Sequence, residues 1–414
     1  RIVDLVSRAQ RSRAQVQRLA DRVAAWFVPA VIGVAVLAFA AWATFGPEPR
    51  LAFGPVSAVT VLIIACPCAL GLATPMSIMV GIGRGARMGI LVRGADALEC
   101  MESIDTWVVD KTGTLADGKP RVTAVRATGD FSDDDVLRLA ASVERMSEHP
   151  LAHAIVVAAK ERKLAIDDAR DFDSPVGRGV LGTVGERRVV VGNLKFLGDH
   201  GVNAASLQTL VAQTQRDGGT SVGVAIDGQA AGLIAIADPI KATTPAALKA
   251  LAADGVRIVM LTGDNKAAAQ SVARQLGIDE VEAEALPEHK SELIERLKRE
   301  GRRVAMAGDG VNDAPALAAA DVGIAMGSGA DVALESAGIT LLRGDLTSIV
   351  QARKLSHATM RNIRQNLTFA FIYNAAGVPI AAGPRFPGVG GLLPPAVAAG
   401  AAGRFSAGVG GKSL

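Results

Sequence analysis

The chain has 414 residues, enough for two or three domains at about 150 residues each. Half of the residues are hydrophobic and the mean hydropathy is +0.30, which argues against an ordinary soluble enzyme of this length. The net charge of +3 comes without a long Lys/Arg run, so we expect no nucleic-acid partner. Three cysteines are too few for a disulfide framework.

Two membrane-spanning helices are predicted near the N-terminus. Uncharged stretches cover residues 23–45 and 51–83, and about 20 apolar residues suffice to cross a bilayer. The second stretch contains Cys66 and Cys68 on either side of a proline, which has no N–H and therefore frees carbonyl groups one turn earlier. Two thiolates beside such a break suit a soft cation such as Cu(I) or Zn²⁺, whereas the alternative is a kinked helix with two inert cysteines. Cys100 lies outside the stretch and is interpreted as structural.

The C-terminal part contains a third uncharged stretch, residues 365–384, and a fourth, residues 386–403. The fourth is rich in proline and glycine, which disfavour a helix. Basic residues precede the first stretch, follow the second and precede the third, so the positive-inside rule places residues 84–352 in the cytoplasm. We expect a multi-pass protein in the lipid bilayer of the cell membrane, with its catalytic part in the cytoplasm.

The cytoplasmic part begins with an apolar strand, residues 106–109, that leads into Asp110-Lys-Thr-Gly-Thr. Gly113 allows backbone amides to approach a phosphate closely. A carboxylate at this position can attack the γ-phosphate of ATP and form an aspartyl-phosphate. The alternative is a strand that ends in an Asp-capped turn. Short D-x-T-G strings often form such turns, but the whole pentapeptide D-K-T-G-T favours the aspartyl-phosphate.

Three later segments supply groups that this nucleophile lacks. Leu-Thr-Gly-Asp ends a strand and offers a hydroxyl and an amide to phosphate. Two carboxylates at the end of another strand would repel Asp110 unless a cation such as Mg²⁺ lies between them. A lysine in Pro-Glu-His-Lys supplies positive charge for the phosphoryl oxygens, although alone it would be a solvated helix residue. The residues concerned are Thr262, Gly263, Lys290, Asp309 and Asp313.

Strands and helices alternate in the cytoplasmic part, which predicts an α/β doubly wound parallel sheet with its ligands at the carboxyl ends of the strands. Hairpin-like pieces at residues 179–191 and 221–237 interrupt this pattern and predict an inserted α+β domain. The predicted division is a cytoplasmic lead-in at 1–22, two spans at 23–83, a phosphorylation domain at 84–119 and 238–352, the inserted domain at 120–237 and a C-terminal membrane region at 353–414.

These motifs resemble the phosphorylation domain of the haloacid-dehalogenase superfamily, specifically its P-type ATPase branch. The most specific string is A-G-D-G-V-N-D-A-P-A-L at residues 307–317, and the resemblance covers nearly the whole chain. It implies a haloacid-dehalogenase-like fold, ATP and Mg²⁺ as cofactors, and an aspartyl-phosphate at Asp110. By this resemblance, Thr112 is a further Mg²⁺ ligand beside the three carboxylates. The resemblance also assigns catalytic roles to Lys111, Thr112, Thr114, Asp264 and Asn312.

The string Ser-Glu-His-Pro at residues 147–150 looks like the hallmark of heavy-metal P-type ATPases. A lone loop histidine is ordinarily a surface residue, and turn glycines are common. By the resemblance, the inserted domain binds nucleotide. The residues that would line its adenine and ribose pocket are Glu144, His149, Gly177, Gly179 and Asn193.

The Cys-Pro-Cys triplet resembles the metal site of these pumps. Tyr373 and Asn374 in the third stretch resemble a pair found in the copper-transporting subgroup, so the expected cargo is Cu⁺, with a metallochaperone as a possible donor. Copper pumps usually carry a Met and paired Ser in their last helix. The corresponding positions here are Ala402, Phe405 and Ser406, which leaves zinc or cadmium as the alternative cargo.

The chain begins at Arg1 and contains no Thr-Gly-Glu motif of an actuator domain. We therefore expect a C-terminal fragment that binds nucleotide without completing a transport cycle. Two other functions stay open. One is a soluble phosphatase of the same superfamily, which would lack the spans and Ser-Glu-His-Pro, and the other is a non-transporting gene product, which the irregular C-terminus suggests.

Overall fold

A computed structural model describes residues 15–48, 50–65, 68–175, 178–216, 218–309, 311–327, 335–383 and 393–413. The chain divides into two compact units. The first contains residues 1–103, 338–342 and 350–414, and the second contains residues 104–337 and 343–349.

The helices are α1 (Gln15–Phe45), α2 (Arg50–Ile64), α3 (Cys68–Arg87), α4 (Ala95–Ser103), α5 (Asp133–Glu144), α6 (Pro150–Glu161), α7 (Leu194–Asp199), α8 (Gln208–Arg216), α9 (Thr244–Ala253), α10 (Lys266–Leu276), α11 (Pro287–Arg299), α12 (Ala314–Ala319), α13 (Leu346–Ala382) and α14 (Pro395–Ser413). The strands are β1 (Ile90–Val92), β2 (Thr106–Asp110), β3 (Arg121–Ala127), β4 (Ala169–Asp173), β5 (Gly179–Val184), β6 (Arg187–Gly192), β7 (Thr220–Ile226), β8 (Gln229–Ala237), β9 (Arg257–Leu261), β10 (Glu280–Glu282), β11 (Val304–Gly308), β12 (Val322–Met326) and β13 (Ile339–Leu341).

Helix α1 carries the apolar surface of the first unit. Among the described residues it is the one helix long and apolar enough to cross a membrane, over Val16–Phe45 with a window of mean hydropathy 2.4. Many of its large side chains are exposed, including Trp26 at 83% and Leu37 at 70%. An exposed apolar surface of this kind is typical of contact with lipid or with another protein.

The predicted second span, residues 51–83, consists of two helices. Helix α2 ends at Ile64 and α3 begins at Cys68. Cys66 and Pro67 between them lie outside the described residues. A helix usually ends before a proline, because the ring clashes with the preceding turn.

Helix α13 runs antiparallel to α2 and α3. A Cβ added at Gly81 would lie 2.7 Å from Thr359 Oγ1, and one added at Gly377 would lie 3.1 Å from Ile64 Cγ2. The glycines therefore allow the helices to approach closely, as small residues do between membrane helices. Of the third predicted span, residues 365–384, residues 365–382 form the C-terminal half of this 37-residue helix.

The prediction that residues 386–403 disfavour a helix is wrong for their second half. Helix α14 begins at Pro395 and continues to Ser413, while residues 384–392 lie outside the described part of the chain. Proline is tolerated at the first helical position, where its missing N–H is not needed.

The second unit contains a parallel sheet in the strand order β12–β11–β2–β9–β10. Helices α11 and α12 contribute to a core with β2, β9 and β11 in which Val108, Ile294 and Met306 are buried. The apolar strand predicted at residues 106–109 occurs as β2 and is one residue longer at its end. The predicted α/β class is confirmed.

A six-stranded antiparallel sheet, in the order β3–β8–β7–β6–β5–β4, occupies the chain between β2 and β9. Helices α5 and α6 contribute to the core against this sheet, burying Leu137 and Ile155. The two predicted hairpins are β5–β6 and β7–β8. Strand β5 alternates intermediate and buried positions, as expected of a strand with one buried face.

Candidate active site

Strand β2 carries Asp110 to the edge of the parallel sheet where its neighbours also end. Asp110 is opposite Leu261, the last residue of β9, and β11 pairs with β2 on the other side. The segments that begin at Thr262 and Asp309 therefore emerge at the same edge as Asp110. Ligands of parallel α/β sheets bind at this edge.

Three carboxylates converge there. One oxygen each of Asp110, Asp309 and Asp313 lies within 4.8 Å of the others. Asp110 and Asp313 are buried, and Asp309 is half-buried. Three carboxylates this close together repel one another unless a cation compensates them, and hard oxygen ligands fit Mg²⁺.

Lys290 places a positive charge inside this cluster. Its Nζ donates to Asp110 Oδ1 at 2.7 Å and to Asp313 Oδ1 at 2.7 Å. Burial lowers the pKa of Lys290, but Asp110 and Asp313 raise it by more, so the net pKa lies above its ordinary value. The lysine is thus held charged between two carboxylates.

The pKa values of the carboxyl groups are raised in turn. Burial, with the charge of Asp313, raises the pKa of Asp110 to about 7, against the lowering effect of Lys290. Burial and Asp313 also raise the pKa of Asp309. A nucleophilic carboxylate must be ionised, so this site needs its positive charges to react at neutral pH.

The turn after Asp110 is shaped around the cluster. The N–H of Thr112 donates to Asp110 Oδ2 at 3.0 Å and orients the carboxylate. Gly113 has φ +69°, and a Cβ added there would lie 1.7 Å from Asp309 Oδ2. Thr114 is fully buried, and its Oγ1 has no hydrogen-bond partner among the described residues.

Most of the remaining predicted catalytic residues lie close to one another beside this turn, and Asn312 is the exception. Lys111 Nζ donates to Asp264 Oδ2 at 2.7 Å, and Thr262 Oγ1 accepts from the N–H of Asp264 at 3.1 Å. Gly263 is exposed beside them. Asn312 lies on the short turn Val311–Asp313, but its side chain is exposed and it makes no described contact with the cluster.

A separate pocket in the antiparallel domain contains two of the predicted nucleotide-binding residues. Its volume is 420 Å³, and its walls include Glu144, His149, His153 and Lys160. Burial raises the pKa of Glu144 to about 7, although a hydrogen bond with Ser147 lowers it. His149 caps helix α6, where its Nδ1 accepts from a backbone N–H at 3.2 Å.

The other predicted nucleotide-binding residues are not among the described walls of this pocket. Gly177 lies outside the described residues. A Cβ added at Gly179 would lie 2.3 Å from Val191 O, so glycine permits close strand packing there. Asn193 caps helix α7, and its Oδ1 accepts from the N–H of Phe196 at 2.8 Å.

The predicted metal-site residues fall partly outside the described chain. Cys66 is not described, and Cys68 begins α3 with its side chain undescribed. Asn374 lies on α13 one turn before Gly377, the glycine that approaches Ile64. Its Oδ1 is buried without a partner among the described residues. Tyr373 precedes it and is half-buried in the helical core. Ala402 lies on α14, whereas the side chains of Phe405 and Ser406 are undescribed.

Sequence reasoning missed Asp238. In the second unit the chain passes from the parallel sheet to the antiparallel sheet and later returns, and Asp238 links these two connecting segments. Its Oδ2 accepts from the N–H of Gly118 and its Oδ1 from the N–H of Lys119, both at 3.1 Å. The N–H of Asp117 donates to Pro239 O at 2.9 Å in the same place. The signal in the sequence was an Asp-Pro pair where the chain returns from the inserted domain, since these residues favour turns.

Comparison with known proteins places these features in context. The profile of the haloacid dehalogenase-like hydrolase family matches residues 104–321. The silver exporting P-type ATPase of Salmonella typhimurium is 59% identical over 402 residues, which is 97% of this chain and 49% of that protein. The copper-transporting P-type ATPase of Rhizobium leguminosarum bv. viciae is 58% identical over 401 residues, 97% of this chain and 48% of that protein.

A solved structure supports the same relationship. The crystal structure of a zinc-transporting PIB-type ATPase in the E2.Pi state matches with a TM-score of 0.85 and 36% identity, covering 100% of this chain and 66% of that chain. The chain spans about half the length of the curated relatives it matches.

Proposed function

Because this chain belongs to the haloacid dehalogenase-like hydrolases and, among them, to the heavy-metal P-type ATPases, we propose that it drives export of Cu(I) through an aspartyl-phosphate at Asp110. The predicted resemblance to heavy-metal pumps is confirmed. The relatives named as silver-exporting and copper-transporting proteins support export of a soft monovalent cation.

One observation carries the chemical part of the proposal. Lys290 bridges Asp110 and Asp313, and Asp309 completes the group of carboxylates beside them. A carboxylate oxygen of Asp110 forms a bond to the γ-phosphorus of ATP, the bond from phosphorus to the bridging oxygen breaks, and ADP leaves with the electron pair. Lys290 balances negative charge on the phosphoryl group as it approaches.

Asp110, Asp309 and Asp313 are the residues that would hold Mg²⁺, with Thr112 as the further predicted ligand. Bound Mg²⁺ supplies charge neutralisation at the phosphoryl oxygens. The chain's own contribution is to hold the nucleophile. The N–H of Thr112 and the ammonium of Lys290 each engage one oxygen of Asp110 and fix its orientation.

The pocket that contains Glu144 and His149 is the proposed site for the base of ATP. It belongs to the proposed nucleotide-binding domain, residues 120–237. In the sequence this domain lies between the two parts of the proposed phosphorylation domain, residues 84–119 and 238–352.

The proposed passage for the cation contains Cys66, Cys68, Tyr373 and Asn374. The exposed apolar face of α1 supports insertion into a lipid bilayer, and the catalytic unit would lie in the cytoplasm of the cell. Two thiolates favour Cu(I), which a metallochaperone would deliver. Zinc is the second candidate cargo, since the matched solved structure is described as zinc-transporting.

Metal uptake into inside-out vesicles tests this function. For the protein expressed from its own gene, we expect ATP to drive Cu(I) uptake faster than Zn²⁺ uptake. Replacement of both Cys66 and Cys68 by Ser should abolish uptake, whereas Cys100→Ser, a cysteine outside the passage, should retain it. Faster uptake of Zn²⁺ than of Cu(I) would make zinc the proposed cargo. Uptake by the variant that lacks both Cys66 and Cys68 would refute the proposed passage.

A further inference from the structure

Lys241 lies where the chain returns from the antiparallel sheet to the parallel one. Its side chain is half-buried, and its Nζ donates to the carbonyl oxygen of Gly113 and, at 2.8 Å, to that of Gly344. Its backbone N–H donates to Leu115 O at 3.0 Å. One ammonium group therefore joins two segments that are far apart in the sequence.

The first of these segments is the turn that follows the nucleophile. Gly113 lies three residues after Asp110. It is close to the carboxylate of Asp309, since a Cβ added at Gly113 would lie 1.7 Å from Asp309 Oδ2. A shift of this turn therefore changes the cluster. The carbonyl of Gly113 is the part of the turn that Lys241 contacts.

The second segment is the start of helix α13. Gly344 precedes Asp345, whose Oδ1 accepts from the N–H of Ser348 at 3.0 Å and from the hydroxyl of Thr347. These bonds cap the helix, which begins at Leu346. The same helix carries Tyr373 and Asn374 about seven turns further along, at the 3.6 residues per turn of an α-helix.

Charge makes this link sensitive to phosphorylation. Asp309, Asp117, Asp238 and Asp345 all attract Lys241. An aspartyl-phosphate would add negative charge beside Gly113 and draw the ammonium towards the turn. The contact with the uncharged carbonyl of Gly344 would then weaken.

We propose that Lys241 is a positioning residue that couples the state of the Asp110 site to the N-terminus of helix α13. The inference rests on the proposed aspartyl-phosphate chemistry. It differs from a purely structural role, in which Lys241 would hold the turn in place regardless of metal or phosphate.

The test compares phosphoenzyme formed from radiolabelled ATP with and without Cu(I). In Lys241→Met, we expect the ratio of the two levels to fall by about tenfold, the effect of one lost charge-assisted hydrogen bond. Lys241→Arg keeps the charge and should restore most of the ratio. Lys249→Met, an exposed lysine on helix α9, should leave it unchanged.

A ratio that stays unchanged in Lys241→Met, whether or not both levels fall, would show a structural role and overturn the proposal. Absence of phosphoenzyme in the wild type would instead contradict the proposed function. If Lys241→Met does not fold, Asp345→Asn is tested in its place. This variant keeps the oxygen that caps helix α13 and removes a negative charge that attracts Lys241. We expect a lower ratio in this variant, and an unchanged ratio would overturn the proposal.

Hydrogen exchange gives a second measurement that needs no turnover. Beryllium fluoride, a mimic of the aspartyl-phosphate, should speed exchange of the amides at residues 343–350 in the wild type. In Lys241→Met, exchange there should be fast both with and without the mimic. A mimic-dependent change of the same size in both proteins would overturn the proposed coupling.

Discussion

A single lysine decides the charge balance among the three carboxylates of the active site. Lys290 contacts Asp110 and Asp313 with hydrogen bonds of equal length, and all three residues are buried. Without its ammonium, two buried carboxylates would face each other uncompensated. Burial and the charge of Asp313 raise the pKa of Asp110 to about 7 even with Lys290 beside it.

Lys290→Met should therefore reduce phosphoenzyme formation at least about 100-fold, since two charge-assisted hydrogen bonds of about 1.5–3 kcal/mol each are lost. Nucleotide binding in the separate pocket should change little. Labelling with radioactive ATP and nucleotide titration measure the two effects. Lys266→Met, which removes an exposed lysine from helix α10, is the control. Normal labelling of Lys290→Met would contradict the assigned role.

Glu144 predicts a pH dependence of stability. Burial raises its pKa from 4.5 to about 7, so between these values the folded state binds more protons than the unfolded chain. The free energy of unfolding should therefore fall as the pH rises through this window, by up to about 3 kcal/mol. Glu144→Gln should lose this contribution. Equilibrium denaturation of both proteins at several pH values measures the difference.

An exposed glutamate at the end of helix α6 provides the control for this comparison. Glu161→Gln should keep the wild-type pH dependence, because that side chain is exposed. If the free energies of unfolding of the wild type and of Glu144→Gln changed in parallel with pH, Glu144 would not be buried as a neutral acid.

At the residue scale, sequence reasoning succeeded where a short motif follows a strand. Asp110, Asp309 and the residues after Leu261 meet because parallel strands end at one edge, and that rule is local. It failed for Asp238, whose partners Gly118 and Lys119 are remote in the sequence. Burial of Glu144 was equally invisible, since it depends on how helix α5 packs against its neighbours.

Among the elements, the turn at residues 111–115 is the most tightly constrained. Gly113 combines a positive φ with a close approach to Asp309, whereas Gly129 has nearly the same φ, +67°, and no described residue within 4 Å of an added Cβ. Gly113→Ala should therefore abolish phosphoenzyme formation. Gly129→Ala should cost about 1 kcal/mol of stability and retain activity. Comparable labelling of both variants would contradict this assignment of the turn.

The helix contacts of the first unit give a second matched pair. Gly377→Val should force α13 away from Ile64 and reduce metal uptake, since an added Cβ alone would lie 3.1 Å from that side chain. A Cβ added at Gly400 on α14 has no described residue within 4 Å, so Gly400→Val should preserve uptake. Vesicle uptake measures both variants, and equal activity would show that this approach of the helices is not required.

The elements that the sequence predicted well are short apolar runs that are buried along their whole length, such as β2, β11 and β12. The predicted strands of the parallel sheet occur because apolar runs meet glycine or aspartate turns. Helix α14 was missed because its glycine and proline content lowers intrinsic helix propensity. Packing against α2 and α3, with Ala398 fully buried, compensates for that weakness.

For the whole molecule, the relatives argue against a soluble phosphatase, because their match extends over 97% of the chain and therefore beyond the hydrolase domain. The order of motifs predicted this relationship, since the phosphorylation strings and Ser-Glu-His-Pro occur together. The sequence alone left both copper and zinc open as cargo, because the predicted metal-site residues come from stretches that are far apart in the chain.

The most direct test of the account is to locate the phosphoryl group. The protein, incubated with radiolabelled ATP and Cu(I), should form an acid-stable, hydroxylamine-sensitive adduct that peptide mapping assigns to Asp110, and Asp110→Asn should form none. A label on another residue, a label that persists in Asp110→Asn, or no adduct with any soft cation would contradict the central claim.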